Sequence, residues 1–158
     1  MRSVPKIGRV SGHIKAPPSS VCTLTSIVLA SMSEGPTTLH GALDMDASRY
    51  LLEALAKIGF EINGSFRDGL TIGERTGISA ADVEIDVSTA ESAIPWLISL
   101  LTFTPGHFIL KARNGPGQWS QSLVEPLRRI GAEIEYRGDE GMLPLQIRGK
   151  IMRGGMEI

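Results

Sequence analysis

The chain reads as an α/β (α+β) protein, with helices packed on small mixed sheets in about two copies of a repeated helix–strand–helix–hairpin module. Three observations predict this. One ten-residue pattern occurs twice at a constant offset, each copy sits among the same order of apolar stripes and turn residues, and glycines punctuate the joins. Glu53-Ala54-Leu55-Ala56-Lys57-Ile58-Gly59-Phe60-Glu61-Ile62 matches Glu125-Pro126-Leu127-Arg128-Arg129-Ile130-Gly131-Ala132-Glu133-Ile134, with six of ten positions identical. Nearly the same offset pairs Gly35 with Gly106, Leu39 with Leu110, and Val83-Glu84-Ile85 with Met156-Glu157-Ile158. The period exceeds that of a solenoid repeat, so the unit is a supersecondary module.

In the first copy the uncharged stretch around Ser20 to Ser33 predicts a helix that Gly35-Pro36 ends. Thr37 to Leu43 alternates as a strand does. A second helix starts near Asp46, with Tyr50, Leu51, Ala54, Leu55 and Ile58 on one stripe and Gly59 as its left-handed cap. Strands are expected over 60–66 and 70–74 around an Arg67-Asp68-Gly69 turn, then over 82–87. In the second copy a helix is expected over 89–103, opened by a Ser88/Glu91 capping box and kinked at Pro95. A strand over 107–112 follows. A helix over 122–130 opens with a Ser122/Glu125 box, and strands over 133–137 and 145–148 complete the unit. The units are 16–85 and 86–158, the latter ending in the first strand of a third, and 1–158 forms one partial domain.

Composition excludes several classes. Of 158 residues, 42% are apolar and 21% charged, enough for a core. The net charge of −1 gives no electrostatic footprint for nucleic acid or an anionic membrane. The uncharged stretches 16–33 and 92–110 are broken by prolines, so neither reads as a membrane span. The N-terminus has no apolar signal core, and a single cysteine fits a reducing compartment, so a cytoplasmic protein is expected. One cysteine and three scattered histidines make no metal cluster, and no cofactor motif is present. Cys22 is expected in the core, and His13, His40 and His107 on strands in packing or surface roles. Trp96 is expected buried, Arg128-Arg129 on a solvated helix face, and Asn114-Gly115-Pro116-Gly117 in a plain loop. Arg67, Arg75, Arg148 and Arg153 are the cations left for a residual anion site.

The module resembles the repeated unit of the enolpyruvyl transferases, within them the 5-enolpyruvylshikimate-3-phosphate synthase family. Gly8-Arg9-Val10-Ser11-Gly12-His13-Ile14 is similar to that family's first strand. Leu29-Ala30-Ser31-Met32-Ser33-Glu34-Gly35 resembles its Leu-Ala-Ala-Leu-Ala-x-Gly, and Leu43-Asp44-Met45-Asp46 its Leu-x-Ser-Asp. Leu143-Pro144-Leu145-Gln146-Ile147-Arg148-Gly149 is similar to the shikimate-pathway branch. The resemblance implies substrates that are phosphorylated small anions, shikimate 3-phosphate and phosphoenolpyruvate, held by arginine and lysine. Residue by residue, the family's lysine falls on Ser20, the serine after it on Val21 and its first arginine on Thr25. The Gly-Asn-Ala-Gly asparagine falls on Ser88, its glycines on Val87 and Ala90, and its closing arginine on Ile94. The arginine expected to clamp phosphoenolpyruvate falls on Asn114, beside Arg113, and one motif acid is kept as Asp46.

Position alone thus nominates Ser20, Thr25, Asp46, Ser88, Arg113 and Asn114 for substrate binding and no catalytic residue. The expected function is a divergent domain without enolpyruvyl transfer on its own. The alternatives are half of an active split or truncated enolpyruvyl transferase with an altered substrate, its C-terminal half lying elsewhere, and a non-catalytic homo-oligomerising module. Two units are expected to leave an apolar helix face uncovered.

Overall fold

A computed structural model describes residues 8–9, 11–77, 82–89, 91–112 and 118–151, the first four residues of the last segment by backbone only. The expected loop at 114–117 lies outside these residues, as do Arg113, Asn114, Arg153 and the expected strand at 156–158. Among the described residues, four α-helices and seven strands follow in the order α1 (Ser20–Ser31), β1 (Thr37–Leu39), α2 (Asp46–Lys57), β2 (Phe60–Ser65), β3 (Gly69–Arg75), β4 (Val83–Asp86), α3 (Ile94–Phe103), β5 (Gly106–Lys111), α4 (Gln118–Arg129), β6 (Glu133–Tyr136) and β7 (Leu145–Gly149). The α/β class predicted from the sequence is the class observed. Helix, strand, helix and hairpin succeed one another in that order in both halves.

The first sheet is antiparallel, with strand order β1-β3-β2. The second has the order β4-β5-β7-β6, in which β4 runs parallel to β5 and the other pairs are antiparallel. Helices α1 and α2 pack on the first sheet, α3 and α4 on the second, and α1 meets α3 between them. The core therefore lies among the helices, with α3 at its centre. Ile94, Leu97, Ile98, Leu100 and Leu101 of that helix are all fully buried.

Local chemistry explains most element ends. Ser19 caps α1 by accepting the Cys22 N–H at 3.3 Å. Ser48 Oγ, fully buried, accepts the Met45 N–H at 3.1 Å and donates to the Leu43 carbonyl at 2.8 Å, which fixes the start of α2. Gly59 takes φ +101° as α2 ends, and a Cβ there would lie 2.9 Å from the Thr76 carbonyl oxygen. Gly149 meets the end of α3 so closely that a Cβ would sit 1.9 Å from the Thr104 carbonyl oxygen and 2.1 Å from that of Leu101.

Several expectations need correction. The Ser88/Glu91 box does not open α3. A short 3₁₀ turn over Glu91–Ala93 comes first, and α3 starts at Ile94. Pro95 then lies in the first turn, where its missing N–H leaves no bond unmade, so it opens the helix rather than kinking it. Helix α4 begins at Gln118, so Ser122 lies inside it and does not cap it, and Pro126 is an interior proline. β1 is only three residues long, and residues 11–19 are exposed coil rather than a strand with His13 in it. The hairpin turn is Phe66–Asp68, held by Ser65 Oγ accepting the Asp68 N–H at 3.1 Å. His40 falls in the bend after β1, and His107 alone of the three histidines is on a strand.

Cys22 is exposed, because the buried side of α1 runs through Thr23, Leu24, Ile27, Ala30 and Ser31. Trp96 is half-buried against the core. Arg128 is not solvated as expected. It lies 5.1 Å over the Tyr136 ring and donates to the Ile134 carbonyl at 2.9 Å and to Glu125 at 3.0 Å. Among the described residues no helix is long and apolar enough to cross a membrane.

Candidate functional site

Two of the nominated residues come together. Asp46 opens α2 and Ser88 follows β4, and both line a cleft of about 490 Å³ with Ala47, Thr89, Glu91 and Ser92. An adjoining cleft of about 280 Å³ is lined by Asp46, Arg49, Tyr50, Glu53 and Thr89. The α2 wall follows from helical spacing, since positions 46, 49, 50 and 53 share one face.

The hydrogen bonds of this wall are directed inward to the fold. The Ser88 N–H and hydroxyl both donate to Asp86 Oδ1, at 3.0 and 2.5 Å, and the Tyr50 hydroxyl donates to the Asp86 carbonyl. Burial raises the Tyr50 pKa above the ordinary phenol value, and the charges of Asp86 and Glu53 raise it further. Arg49 grips Asp44 through both carboxylate oxygens, Nε to Oδ1 at 2.5 Å and Nη2 to Oδ2 at 2.8 Å. That bond lowers the Asp44 pKa and raises that of Arg49. The cation bordering the clefts is thus already matched by an acid, while Asp46, Glu53 and Glu91 add negative charge. A wall of this sign repels phosphate and carboxylate groups.

The other nominated positions lie elsewhere. Ser20 and Thr25 are on α1 and do not line these clefts. The Thr25 hydroxyl is spent within the helix, donating to the Val21 carbonyl at 2.8 Å. A third cleft, of about 400 Å³, runs beside α1 past Ser19, Cys22, Thr23, Ser26, Thr38 and His40, rich in hydroxyls and without a lysine, arginine or carboxylate in its lining. Ile94, on which the sequence resemblance places the family's closing arginine, is 1% exposed in the core.

Among the described residues, Arg67, Arg75 and Arg148 are not gathered into one site. Arg67 is in the hairpin turn, while Arg75, at the far end of β3, donates to the Ile58 and Pro105 carbonyls at 2.7 and 2.5 Å. Arg148 faces Glu133 at 3.5 Å on the other sheet. Among the described residues, no group of three or more histidines, cysteines or acids is placed to hold a metal ion. Sequence reading missed Tyr50, Glu53 and Glu91 as lining residues. The signal was available in the α2 spacing, but Tyr50 had been assigned to the apolar stripe.

Comparison with known proteins agrees with this architecture. The chain is 34% identical over 147 residues to a 3-phosphoshikimate 1-carboxyvinyltransferase from Paraburkholderia phymatum, covering 89% of this chain and 32% of that one. It is 29% identical over 158 residues to the enzyme of the same description from Psychromonas ingrahamii, covering 94% and 36% respectively. The chain thus spans about a third of the length of these relatives. Its fold is similar to an EPSP synthase structure from Acinetobacter baumannii, with a TM-score of 0.72 at 20% identity over 93% of this chain and 34% of that one. The family model for EPSP synthase (3-phosphoshikimate 1-carboxyvinyltransferase) matches residues 4–158, and the chain belongs to that family.

Proposed function

We propose that this chain is a divergent 3-phosphoshikimate 1-carboxyvinyltransferase-like domain, built from two copies of one unit, that does not transfer an enolpyruvyl group by itself. The observation that carries the reading is Ile94. An arginine expected to hold an anion is replaced by a side chain buried in the core at the start of α3. Asp46, Glu53 and Glu91 line the clefts beside Ser88, where a pair of anionic substrates would meet negative charge. Each missing charge-assisted bond is worth about 1.5–3 kcal/mol, so several lost together remove many orders of magnitude of affinity. Ser20 and Thr25 supply hydroxyls without charge.

The test is phosphate release from phosphoenolpyruvate and shikimate 3-phosphate, with the Paraburkholderia phymatum relative run alongside. The expected result is no release above the blank and no rise in melting midpoint with shikimate 3-phosphate, since a ligand that prefers the native state raises it. Measurable turnover by the chain alone overturns the reading.

A second reading rests on α1, where Val21 and Leu29 are 60% and 62% exposed, with Met32 half-exposed just after it. In that reading the chain is one part of a split transferase and the stripe is covered by the missing portion. Mixing with the C-terminal two thirds of a relative then produces phosphate release that neither piece shows alone.

A further inference from the structure

Among the described residues β6 pairs only with β7, so its other side is a sheet edge. The Arg137 N–H donates to the Pro144 carbonyl at 2.9 Å, toward β7. Backbone direction alternates along an antiparallel strand. Glu133 and Glu135 therefore also face β7, while Ile134 and Tyr136 present N–H and C=O to the free edge. Such an edge is a template for a further strand.

One side chain stands across that template. Arg128, near the end of α4, donates from Nε to the Ile134 carbonyl at 2.9 Å. Its guanidinium is held from two more directions, by Glu125 at 3.0 Å and by the Tyr136 ring at 5.1 Å.

We propose that Arg128 is an edge guard: its guanidinium occupies the carbonyl that a second copy of β6 would need, and so keeps two chains from joining their sheets through this edge. The blocked pairing has a definite register. In a two-fold antiparallel arrangement, Ile134 of one chain and Tyr136 of the other exchange their backbone bonds. Glu133 then lies opposite Arg137 at both ends, which charge favours, and Glu135 alone meets its own copy. The strand is otherwise fit to pair with itself. A cation fixed across the edge puts charge and bulk where the second strand would lie.

The first half supports this by contrast. β2 holds the corresponding place in its sheet, and Ala56 stands in α2 where Arg128 stands in α4. Alanine has no donor to place on a strand edge. β2 instead carries a register shift against β3 between Phe60 and Ile62, and an irregularity of that kind disrupts an edge by itself. The four residues of β6 pair with β7 in unbroken register. The regular edge is the one that has the arginine.

The experiment is light scattering on Arg128→Met and Arg128→Lys beside the wild type across micromolar concentrations, with hydrogen exchange read by residue. Methionine keeps an apolar stem and removes the donor, whereas lysine keeps a cation at the edge. The mass of Arg128→Met is expected to double relative to the wild type as concentration rises, with exchange slowed at the Ile134 and Tyr136 amides. Arg128→Lys is expected to keep the wild-type mass. A folded Arg128→Met that keeps the wild-type mass overturns the proposal, and so does a doubled mass in Arg128→Lys. The wild type gives a check that needs no variant to fold. Its Glu135 and Arg137 amides are expected to exchange slowly and its Ile134 and Tyr136 amides fast, and protection of the latter two overturns the proposal. Catalysis enters none of these readouts, so the outcome is independent of the phosphate-release test.

Discussion

Helices α1 and α3 are both free of charged residues, yet they occupy opposite environments. α3 (Ile94–Phe103) is wrapped by α1, α4 and β7, and five of its ten residues are large aliphatic side chains with no more than 1% exposure. α1 (Ser20–Ser31) buries Leu24, Ile27 and Ala30 and turns Val21 and Leu29 outward. What separates them is the number of neighbours the topology supplies, since absence of charge permits burial without causing it. α1 also carries serines and threonines at five positions, and two of these are buried.

The sharpest way to break this comparison is one substitution made on both helices. Ile94→Arg places a guanidinium without a partner in the core and is expected to cost about 4 kcal/mol or more, while Val21→Arg stays within about 0.5 kcal/mol. Urea unfolding of the two variants checks this. The same pair tests whether this core accepts a cation at position 94 by a single replacement. Next in size is Gly149→Ala, which drives a methyl into the Leu101 and Thr104 carbonyls at the end of α3. A loss of about 3 kcal/mol in the same assay is expected, with most of the cost coming from moving β7 off the helix.

On α1 the buried hydroxyl matters more than the exposed aliphatics. Thr23 Oγ1 accepts the Leu43 N–H at 2.9 Å, so Thr23→Val strands that donor and costs about 1–3 kcal/mol. Leu29→Ala on the same helix changes the unfolding midpoint little. The smallest effect is a pH dependence. The Tyr50 phenol has a raised pKa in the fold, so its contribution is complete below the ordinary value near pH 10 and is lost as pH rises through the folded value. Thermal melts between about pH 9 and 11 are expected to fall for the wild type and to fall less for Tyr50→Phe.

The fold was legible where periodicity and glycine agree. The stripe of α2 and the Gly59 and Gly131 turns stand where the pattern puts them, both glycines having positive φ. It was least legible at helix starts. Ser88 and Ser122 carry capping-box spacing, but β4 takes Ser88 into a turn with Asp86, and α4 begins a full turn before Ser122. Burial of Cys22 was misjudged because α1 has no charged face, its hydroxyls lying on the buried side as well as the exposed one, and this gives periodicity little direction to report. At the candidate clefts, Asp46 and Ser88 were nominated by the resemblance, whereas the meeting of α2 with the link after β4 depends on long-range packing that no local pattern encodes. Arg113 and Asn114 fall outside the described residues, so their nomination rests on the resemblance.

Arg75 has a consequence for how such a chain can be divided. It lies at the end of the first half, and burial pulls its pKa below the ordinary arginine value. Its guanidinium satisfies itself on the Ile58 carbonyl within that half and on the Pro105 carbonyl of the next. A polypeptide stopping at Arg75 would keep the half-buried cation and lose one of these two acceptors. Nor would it include β4, the strand that joins the second sheet. The two halves share one pattern without being interchangeable parts. A cut between them takes one acceptor from the Arg75 guanidinium, so a second half from elsewhere matches this joint best where it presents a carbonyl in the place of Pro105.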